Sequence, residues 1–174
     1  MEEYFTRSIS VVKTIKSVLN RNRGRLATVE SCTGGLLATA LTELPGSSSF
    51  YQGGLSVYND SLKKDMLGVT AEVLDKEGAV SEKAVKLMAE NIKSLMGTQH
   101  SLSISGIAGP GYDGSSKNVG EIWCASSIYS ETRSYSFNLE GSRKSIRYKA
   151  MYLGLVNLLG HIEDFYKKSY DLLY

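Results

Sequence analysis

Three hydroxyl- or thiol-bearing residues, Ser31, Cys32 and Thr33, stand directly ahead of the glycine pair Gly34 and Gly35. The apolar run before them predicts a short buried strand, and the apolar spacing after them predicts a helix. A strand end that leads into a helix offers backbone N–H groups and positive potential to a phosphate or an oxyanion. The segment could therefore bind and attack a ligand. The same residues are also ordinary components of a helix cap and a tight turn.

Ser31 is the better candidate nucleophile of the three. A helix N-terminus would lower the pKa of the Cys32 thiol, but the sequence places no obvious histidine or aspartate base beside it. Cys124 lies in an apolar run and is predicted to be a core residue. His100 and His161 have no acid at site-like spacing, so both are predicted to lie on the surface. A histidine-dependent triad is therefore disfavoured.

A second glycine-rich segment, Ser105–Gly111, follows another predicted strand and continues through residues 112–116. Backbone amides in such a segment can wrap around a ligand. The glycine spacing does not match the dinucleotide-binding pattern, and no helical pattern follows it, so a Rossmann site is disfavoured. The alternative is a long turn that leads into a hairpin.

Two groups of residues that contain basic side chains could complete a site. Lys63 follows Tyr58 by five residues, and serine with lysine is a known pairing in amide hydrolysis. A lysine acts as a base only when neutral, so burial or nearby positive potential would be needed. Arg143 and Arg147 are four residues apart and share one helix face, where they could hold a phosphate. The alternative is that Lys63 and its neighbour Lys64, like the two arginines, are solvated surface charges.

The elements that must position these residues follow from hydrophobic spacing. Helices are predicted over residues 8–22, 36–44, 63–67, 70–77, 81–96 and 142–166, and strands over residues 25–29, 50–58, 101–107, 119–128 and 133–139. Asp60 or Ser61, then Thr70, Ser81 and Ser142 are the predicted helix caps. The order of elements predicts an α/β fold with a mixed sheet and helices on both faces. The tail, residues 167–174, is predicted to be frayed.

Composition narrows the class of protein. The 174 residues are 42% apolar with a net charge of +2, which fits one globular domain over residues 1–174. A near-neutral chain without a basic stripe argues against nucleic-acid binding. Two cysteines and two histidines are too few and too scattered for a metal site, so neither metal nor cofactor is expected. No apolar stretch predicts a membrane span or a signal peptide, so a cytoplasmic location without membrane contact is expected.

Six segments in this order resemble the C-terminal domain of the competence/damage-inducible CinA family. They are Val29–Leu36, Leu44–Ser48, Val57–Val69 with its Tyr58 and Lys63, Gly78–Ser81, Ser105–Gly111, and Gly141–Arg143 followed by Arg147. The resemblance runs from about Leu26 to Leu155. It implies a three-layer α/β/α sandwich whose mixed sheet is mostly parallel.

The family includes stand-alone nicotinamide-nucleotide amidases. The resemblance therefore implies hydrolysis of the carboxamide of nicotinamide mononucleotide, giving nicotinate mononucleotide and ammonia, in a homodimer. It places the nucleophile on Ser31 and the base on Lys63, with Tyr58 assisting. Substrate contacts are expected from Cys32, Thr33, Gly34, Gly35, Ser105, Gly106, Gly109, Gly111, Arg143 and Arg147. Ser105 stands where the family usually has threonine.

Two other classes of function remain open from the sequence. The chain could be a regulatory or ligand-binding domain that kept the fold and lost turnover. It could also be an accessory protein linked to competence or DNA damage, which its near-neutral charge disfavours.

Overall fold

A computed structural model describes residues 2–111 and 118–171, apart from the side chain of Tyr170. Its helices are α1 (Glu2–Arg21), α2 (Leu36–Thr42), α3 (Asp60–Leu67), α4 (Ala71–Lys76), α5 (Glu82–Met96) and α6 (Arg143–Asp171). Its strands are β1 (Leu26–Glu30), β2 (Tyr51–Ser56), β3 (His100–Gly106), β4 (Glu121–Ile128) and β5 (Glu131–Asn138). The glycine-rich extension predicted over residues 112–116 lies outside the described residues.

The five strands form one mixed sheet in the order β2-β1-β3-β4-β5. β1 pairs in parallel with β2 and β3, whereas β4 pairs antiparallel with both of its neighbours. Four strands therefore run in one direction and β4 runs against them, as a mixed, mostly parallel sheet requires. The parallel strands β1, β2 and β3 end at the same edge of the sheet, which brings together the loops that follow them.

The two faces of the sheet are covered by different helices, which confirms the three-layer α/β/α architecture. On β3, Leu102 and Ile104 join the larger core cluster, which includes apolar residues of α1, α2 and α6. The alternating Ser101 and Ser103 face α5, where their hydroxyls donate to the carbonyl oxygens of Ala89 and Val85, each at 2.6 Å. Side chains of a strand alternate between the two faces, so this strand is apolar on one side and hydrogen-bonded to a helix on the other.

Helix ends agree with the predicted caps except at α3. Thr70 and Ser81 accept hydrogen bonds from backbone N–H groups in the first turns of α4 and α5. At α3 the cap is Asn59, which accepts from the Ser61 N–H, so the prediction of Asp60 or Ser61 is wrong. The helix starts three residues earlier than predicted because asparagine caps as well as aspartate or serine does.

The last helix is longer than predicted. α6 continues to Asp171, so the tail predicted as frayed is helical up to that residue. Phe165 and Tyr166 pack against the larger core cluster near this end. Tyr166 also donates its hydroxyl to Nε2 of His100 at 3.1 Å. These contacts anchor the final turns.

Both histidines are buried, so the prediction that they lie on the surface is wrong. His100 is 0% exposed, and its Nδ1 donates to the carbonyl oxygen of Arg25 at 3.2 Å. His161 is 1% exposed, and its Nδ1 lies 2.7 Å from the Ser126 hydroxyl. Each ring finds its partners on elements that are distant in sequence, and local spacing carries no signal of such contacts.

No helix among the described residues is both long enough and apolar enough to cross a bilayer.

Candidate active site

A cavity of about 590 Å³ lies at the edge where the parallel strands end. Its wall is built from the loops that follow β1, β2 and β3, from α3 and α4, from the segment ahead of α5, and from the start of α6. The lining residues are Ser31, Cys32, Tyr58, Asp60, Lys63, Leu74, Gly78, Ala79, Val80, Ser105, Gly106, Ile107, Ala108, Gly109, Pro110, Gly111 and Arg143. Ligands of open α/β sheets collect at this kind of edge.

The loop that carries Ser31 is held from two sides. The Ser31 N–H donates to the carbonyl oxygen of Ile104 on β3 at 3.0 Å. From α6, Arg147 donates to the carbonyl oxygens of Cys32 and Thr33 at 3.1 and 2.6 Å. A loop fixed by a neighbouring strand and by a guanidinium group keeps the candidate nucleophile Ser31 in one place, which attack in a defined direction would require.

Glu30 has a positioning role beside the candidate site that sequence reasoning missed. Its carboxylate is buried and accepts from the N–H groups of Gly35, Leu37 and Ala38 at 2.9, 3.0 and 2.9 Å. A negative charge at a helix N-terminus is favourable, so Glu30 caps α2 from the last position of β1. The available signal was an acidic residue directly after the predicted strand and six residues ahead of the predicted helix start.

This cap corrects one expectation about the loop. The N–H groups near Gly34 and Gly35 were expected to bind an oxyanion, but Gly35 donates to Glu30 and Gly34 donates to the carbonyl oxygen of Ser31. Within the described residues, the cavity wall includes Ser31 but stops short of Thr33, Gly34 and Gly35. Thr33 is 0% exposed, and both glycines have positive φ angles that shape the turn.

Lys63 is 2% exposed and reaches the cavity from α3. The desolvation expected for a lysine base is therefore present. Positive surroundings were also expected, but the closest partner of Lys63 is a carboxylate: Nζ donates to Oδ1 of Asp60 at 2.7 Å. The neighbouring Lys64 is exposed, as a helix rotation of about 100° per residue requires.

Arg143 bridges two sides of the cavity. One guanidinium nitrogen donates to the carbonyl oxygen of Gly109, and the other donates to the hydroxyl oxygen of Tyr58. The Tyr58 ring is largely exposed, so this contact fixes its hydroxyl at the cavity. Because Tyr58 accepts from Arg143, its own hydroxyl hydrogen is left to be donated to another group.

The glycine-rich segment forms the opposite part of the wall. Ser105 is buried and donates to the carbonyl oxygen of Ala79 at 2.8 Å, which ties β3 to the segment ahead of α5. A Cβ at Gly106 would lie 2.8 Å from the backbone carbonyl oxygen of Glu121, so only glycine lets β4 approach this closely. Gly109 and Gly111 also line the cavity.

Comparison with known proteins places this arrangement in a family. The model of the CinA C-terminal domain matches residues 8–162. The chain belongs to the CinA C-terminal domain family. A CinA-like protein of Gemmatimonas aurantiaca is 43% identical over 133 residues, which cover 76% of this chain and 31% of that protein. A CinA-like protein of Petrotoga mobilis is 36% identical over 96% of this chain and 40% of that protein.

Solved structures of the CinA family superpose on almost the whole chain. A competence or damage-inducible protein from Enterobacter asburiae has a TM-score of 0.87 and 34% identity, covering 89% of this chain and 98% of that one. The protein CihA from Agrobacterium tumefaciens has a TM-score of 0.85 and 31% identity over 88% of this chain and 94% of that one. By contrast, the chain spans about a third of the length of the first curated relatives it matches.

In this member of the CinA family, the two cysteines are protonated thiols. Burial raises the pKa of the Cys32 thiol to about 12, and the nearby Glu30 carboxylate acts in the same direction. Burial likewise raises the pKa of Cys124 to about 12, in the core. A protonated thiol is a poor nucleophile, so the environment of Cys32 favours Ser31 in the candidate role.

Across residues 2–111 and 118–171, no three His, Cys, Asp or Glu side chains are grouped so that they could hold a metal ion. That metal is unnecessary for activity stays a prediction.

Proposed function

We propose that this CinA-family protein is a nicotinamide-nucleotide amidase, which hydrolyses the carboxamide of nicotinamide mononucleotide to nicotinate mononucleotide and ammonia. The observation that carries the proposal is one cavity lined by Ser31, the buried Lys63 and Tyr58. Hydrolysis of an amide needs a nucleophile, a base, and a proton for the leaving nitrogen. Serine and lysine can supply all three.

The reaction begins when the Ser31 hydroxyl oxygen attacks the carboxamide carbon. Its proton passes to the lone pair of a neutral Lys63 amine, and the carbonyl electrons move onto the oxygen. When this tetrahedral intermediate collapses, the Lys63 ammonium returns the proton to the leaving nitrogen, and ammonia departs from an acyl-serine ester. A water molecule, deprotonated by the same amine, then hydrolyses the ester and restores Ser31.

Tyr58 assists at the developing negative charge. Since Glu30 occupies N–H groups at the start of α2, the oxyanion must find its donors elsewhere. The Tyr58 hydroxyl is held by Arg143 and keeps its hydrogen for donation. A hydroxyl with a cation behind it is a stronger donor than a neutral one, so Tyr58 can stabilise the intermediate or relay its proton.

Arg143 is the proposed phosphate ligand of the site. Its guanidinium lies at the cavity and donates to neutral oxygens of Gly109 and Tyr58. A phosphate is a stronger acceptor for guanidinium than either of these. Arg147 donates to carbonyl groups of the Ser31 loop, so we assign it to holding that loop. A volume of about 590 Å³ lies within the range of small-molecule sites.

The test is to incubate purified protein with nicotinamide mononucleotide, nicotinamide riboside or free nicotinamide, and to measure ammonia. We expect release mainly from the mononucleotide. We also expect Arg143→Gln to raise KM for the mononucleotide more than tenfold and KM for the riboside little, because only the former carries a phosphate, whereas kcat falls for both since Tyr58 loses its guanidinium partner. Lys144→Gln, on the next residue of the same helix, is the matched control and should leave both values unchanged.

Calorimetry separates the proposal from its main competitor, a ligand-binding domain without turnover. Binding of the mononucleotide without any ammonia release would support that competitor and contradict the amidase. Ammonia release that is independent of the phosphate would leave an amidase but contradict the assignment of its substrate.

A further inference from the structure

We propose that Asp60 is the third member of a serine–lysine–aspartate triad, and that it orients Lys63 and stabilises the ammonium formed there during catalysis. The inference rests on the proposed amidase function and deepens it. The CinA resemblance supplied Ser31 and Lys63, whereas Asp60 was predicted only as a helix cap, a role that the structure gives to Asn59. Its assignment comes from geometry.

The ion pair of Asp60 with Lys63 differs in burial from the lysine–glutamate pairs within helices. The Lys63 side chain is 3% exposed, and that of Asp60 is 60% exposed. In the pair of Lys76 with Glu72, both side chains are 72% exposed, and such surface pairs contribute little. Asp60 instead contacts a lysine that has been removed from water, and both residues line the cavity that contains the nucleophile.

The other groups around Lys63 leave the Asp60 carboxylate as its main negatively charged neighbour. The loop after β1 presents Cys32, a neutral thiol whose pKa is raised to about 12 by burial. The end of β2 presents Tyr58, and the start of α6 presents the cation Arg143. α4 adds the apolar Leu74 to the wall, and α5 contacts α3 through the uncharged amide of Asn91. Among the described residues that line the cavity, the carboxylate is therefore the one group that can be an anion at neutral pH.

The proposed role follows through the catalytic cycle. In the neutral amine, one N–H donates to Asp60, and this fixes the direction of the lone pair that must face Ser31. When Ser31 gives up its proton, Lys63 becomes an ammonium beside a carboxylate at 2.7 Å. Asp60 thus does for a lysine what the aspartate of a serine–histidine–aspartate triad does for its histidine. The proton moves between Ser31, Lys63 and the leaving nitrogen, and Asp60 stays ionised throughout.

Asp60→Asn tests this role because asparagine keeps an acceptor oxygen and removes the charge. The rate should depend on neutral Lys63, so the acid limb of the kcat/KM profile marks its deprotonation. Without the carboxylate the ammonium is less favoured, and we expect that limb to move about one pH unit or more towards acid. At the alkaline plateau kcat should fall about tenfold, since the ammonium formed in the transition state has lost its partner.

The matched control is Asp65→Asn, which removes the same charge from an exposed position on the same helix. We expect its kcat and its pH profile to equal those of the unmodified protein. An Asp60→Asn profile that coincides with the control, or an acid limb that moves towards alkali, would overturn the proposal.

A second measurement does not require activity. In protein labelled with ¹³C-lysine, the Cε signal of Lys63, assigned from Lys63→Arg, reports its protonation directly. Its titration midpoint should move to lower pH in Asp60→Asn and stay in place in Asp65→Asn. If no variant releases ammonia but the midpoint moves, the amidase function fails while the coupling of Asp60 to Lys63 stands. An unmoved midpoint in an active enzyme would contradict the triad and leave the amidase function in place.

Discussion

The two ends of the sheet bury ionisable groups in opposite ways. At the carboxyl ends of β1 and β3, Lys63 is buried but faces an open cavity together with Ser31. At the other end, His100 and His161 are just as buried, and their contacts are to other parts of the protein: the Arg25 carbonyl and the hydroxyls of Tyr166 and Ser126. Burial of an ionisable group therefore does not by itself indicate a site. A ligand must also be able to reach it.

The end of the sheet that holds His100 and His161, called the closed end below, contains a group of residues that resembles a catalytic triad. The Ser126 hydroxyl lies 2.7 Å from Nδ1 of His161, and Nε2 of that ring lies 3.6 Å from a carboxylate oxygen of Glu131. Serine, histidine and an acid thus stand in the order of a hydrolytic triad. Ser126 is 0% exposed, so no substrate carbonyl can approach its oxygen. The group holds β4 against α6.

The largest expected effect separates the two serines. Ser31→Ala should reduce ammonia release by about four orders of magnitude or more, as loss of a nucleophile typically does. Ser126→Ala should leave kcat within about twofold and lower the free energy of unfolding by about 1–3 kcal/mol, because a buried polar group of His161 loses its partner. Kinetics and urea unfolding of both variants are the measurements. The reverse pattern would move the active centre to the closed end.

The next effect separates two adjacent lysines. Lys63→Ala should reduce turnover by about three orders of magnitude, while nucleotide binding measured by calorimetry persists through Arg143 and backbone amides. Lys64→Ala should behave like the unmodified protein, since this side chain is exposed. An inactive Lys64→Ala beside an active Lys63→Ala would show that the wrong face of α3 had been assigned to the cavity.

The closed end should weaken in mild acid. Burial lowers the pKa of His100 to about 4, below its ordinary value of about 6.5. Between these values the unfolded chain binds a proton that the folded chain does not, so the free energy of unfolding falls as the pH falls through this window. His100 alone should contribute a loss of about 2 kcal/mol between pH 7 and pH 5.

Urea unfolding at the two pH values measures this loss. His100→Gln cannot take up the proton, so its stability should depend less on pH. An equal dependence in both proteins would show that His100 is not responsible. Burial, with the cation Arg133 acting in the same direction, also lowers the pKa of His161 to about 4, against the opposing influence of Glu131, so part of the dependence should remain in the variant.

The smallest expected effect is at Cys32. Cys32→Ala should keep most of the activity, and the thiol should resist alkylation by iodoacetamide at pH 8, because its pKa is about 12. Mass spectrometry after alkylation and a rate assay of the variant are sufficient. Rapid alkylation accompanied by loss of activity would return Cys32 to the list of candidate nucleophiles.

What the sequence could predict was local. Hydrophobic spacing located the ends of the strands and helices to within about three residues, except that α1 begins six residues earlier and α6 ends five residues later than predicted. Glycine-rich strand exits pointed to the edge where the cavity lies. What it missed depends on contacts across the fold. The partners of His100 lie far from it in the sequence. The Glu30 carboxylate caps a helix, and Arg147 binds loop carbonyl groups instead of the phosphate expected for it. Asp60 was visible, but helical spacing alone could not show that its lysine would be buried.

The attachment of Arg147 to the loop after β1 has a consequence for how the molecule is made. Ser31 follows the first strand of the sheet, yet the guanidinium group that fixes its loop belongs to α6, 115 residues from Cys32. During synthesis from the N-terminus, residues 26–35 emerge long before α6 exists. The site can therefore be completed only after α6 has been synthesised, and a truncated product that ends before Arg143 would carry the serine without its supports.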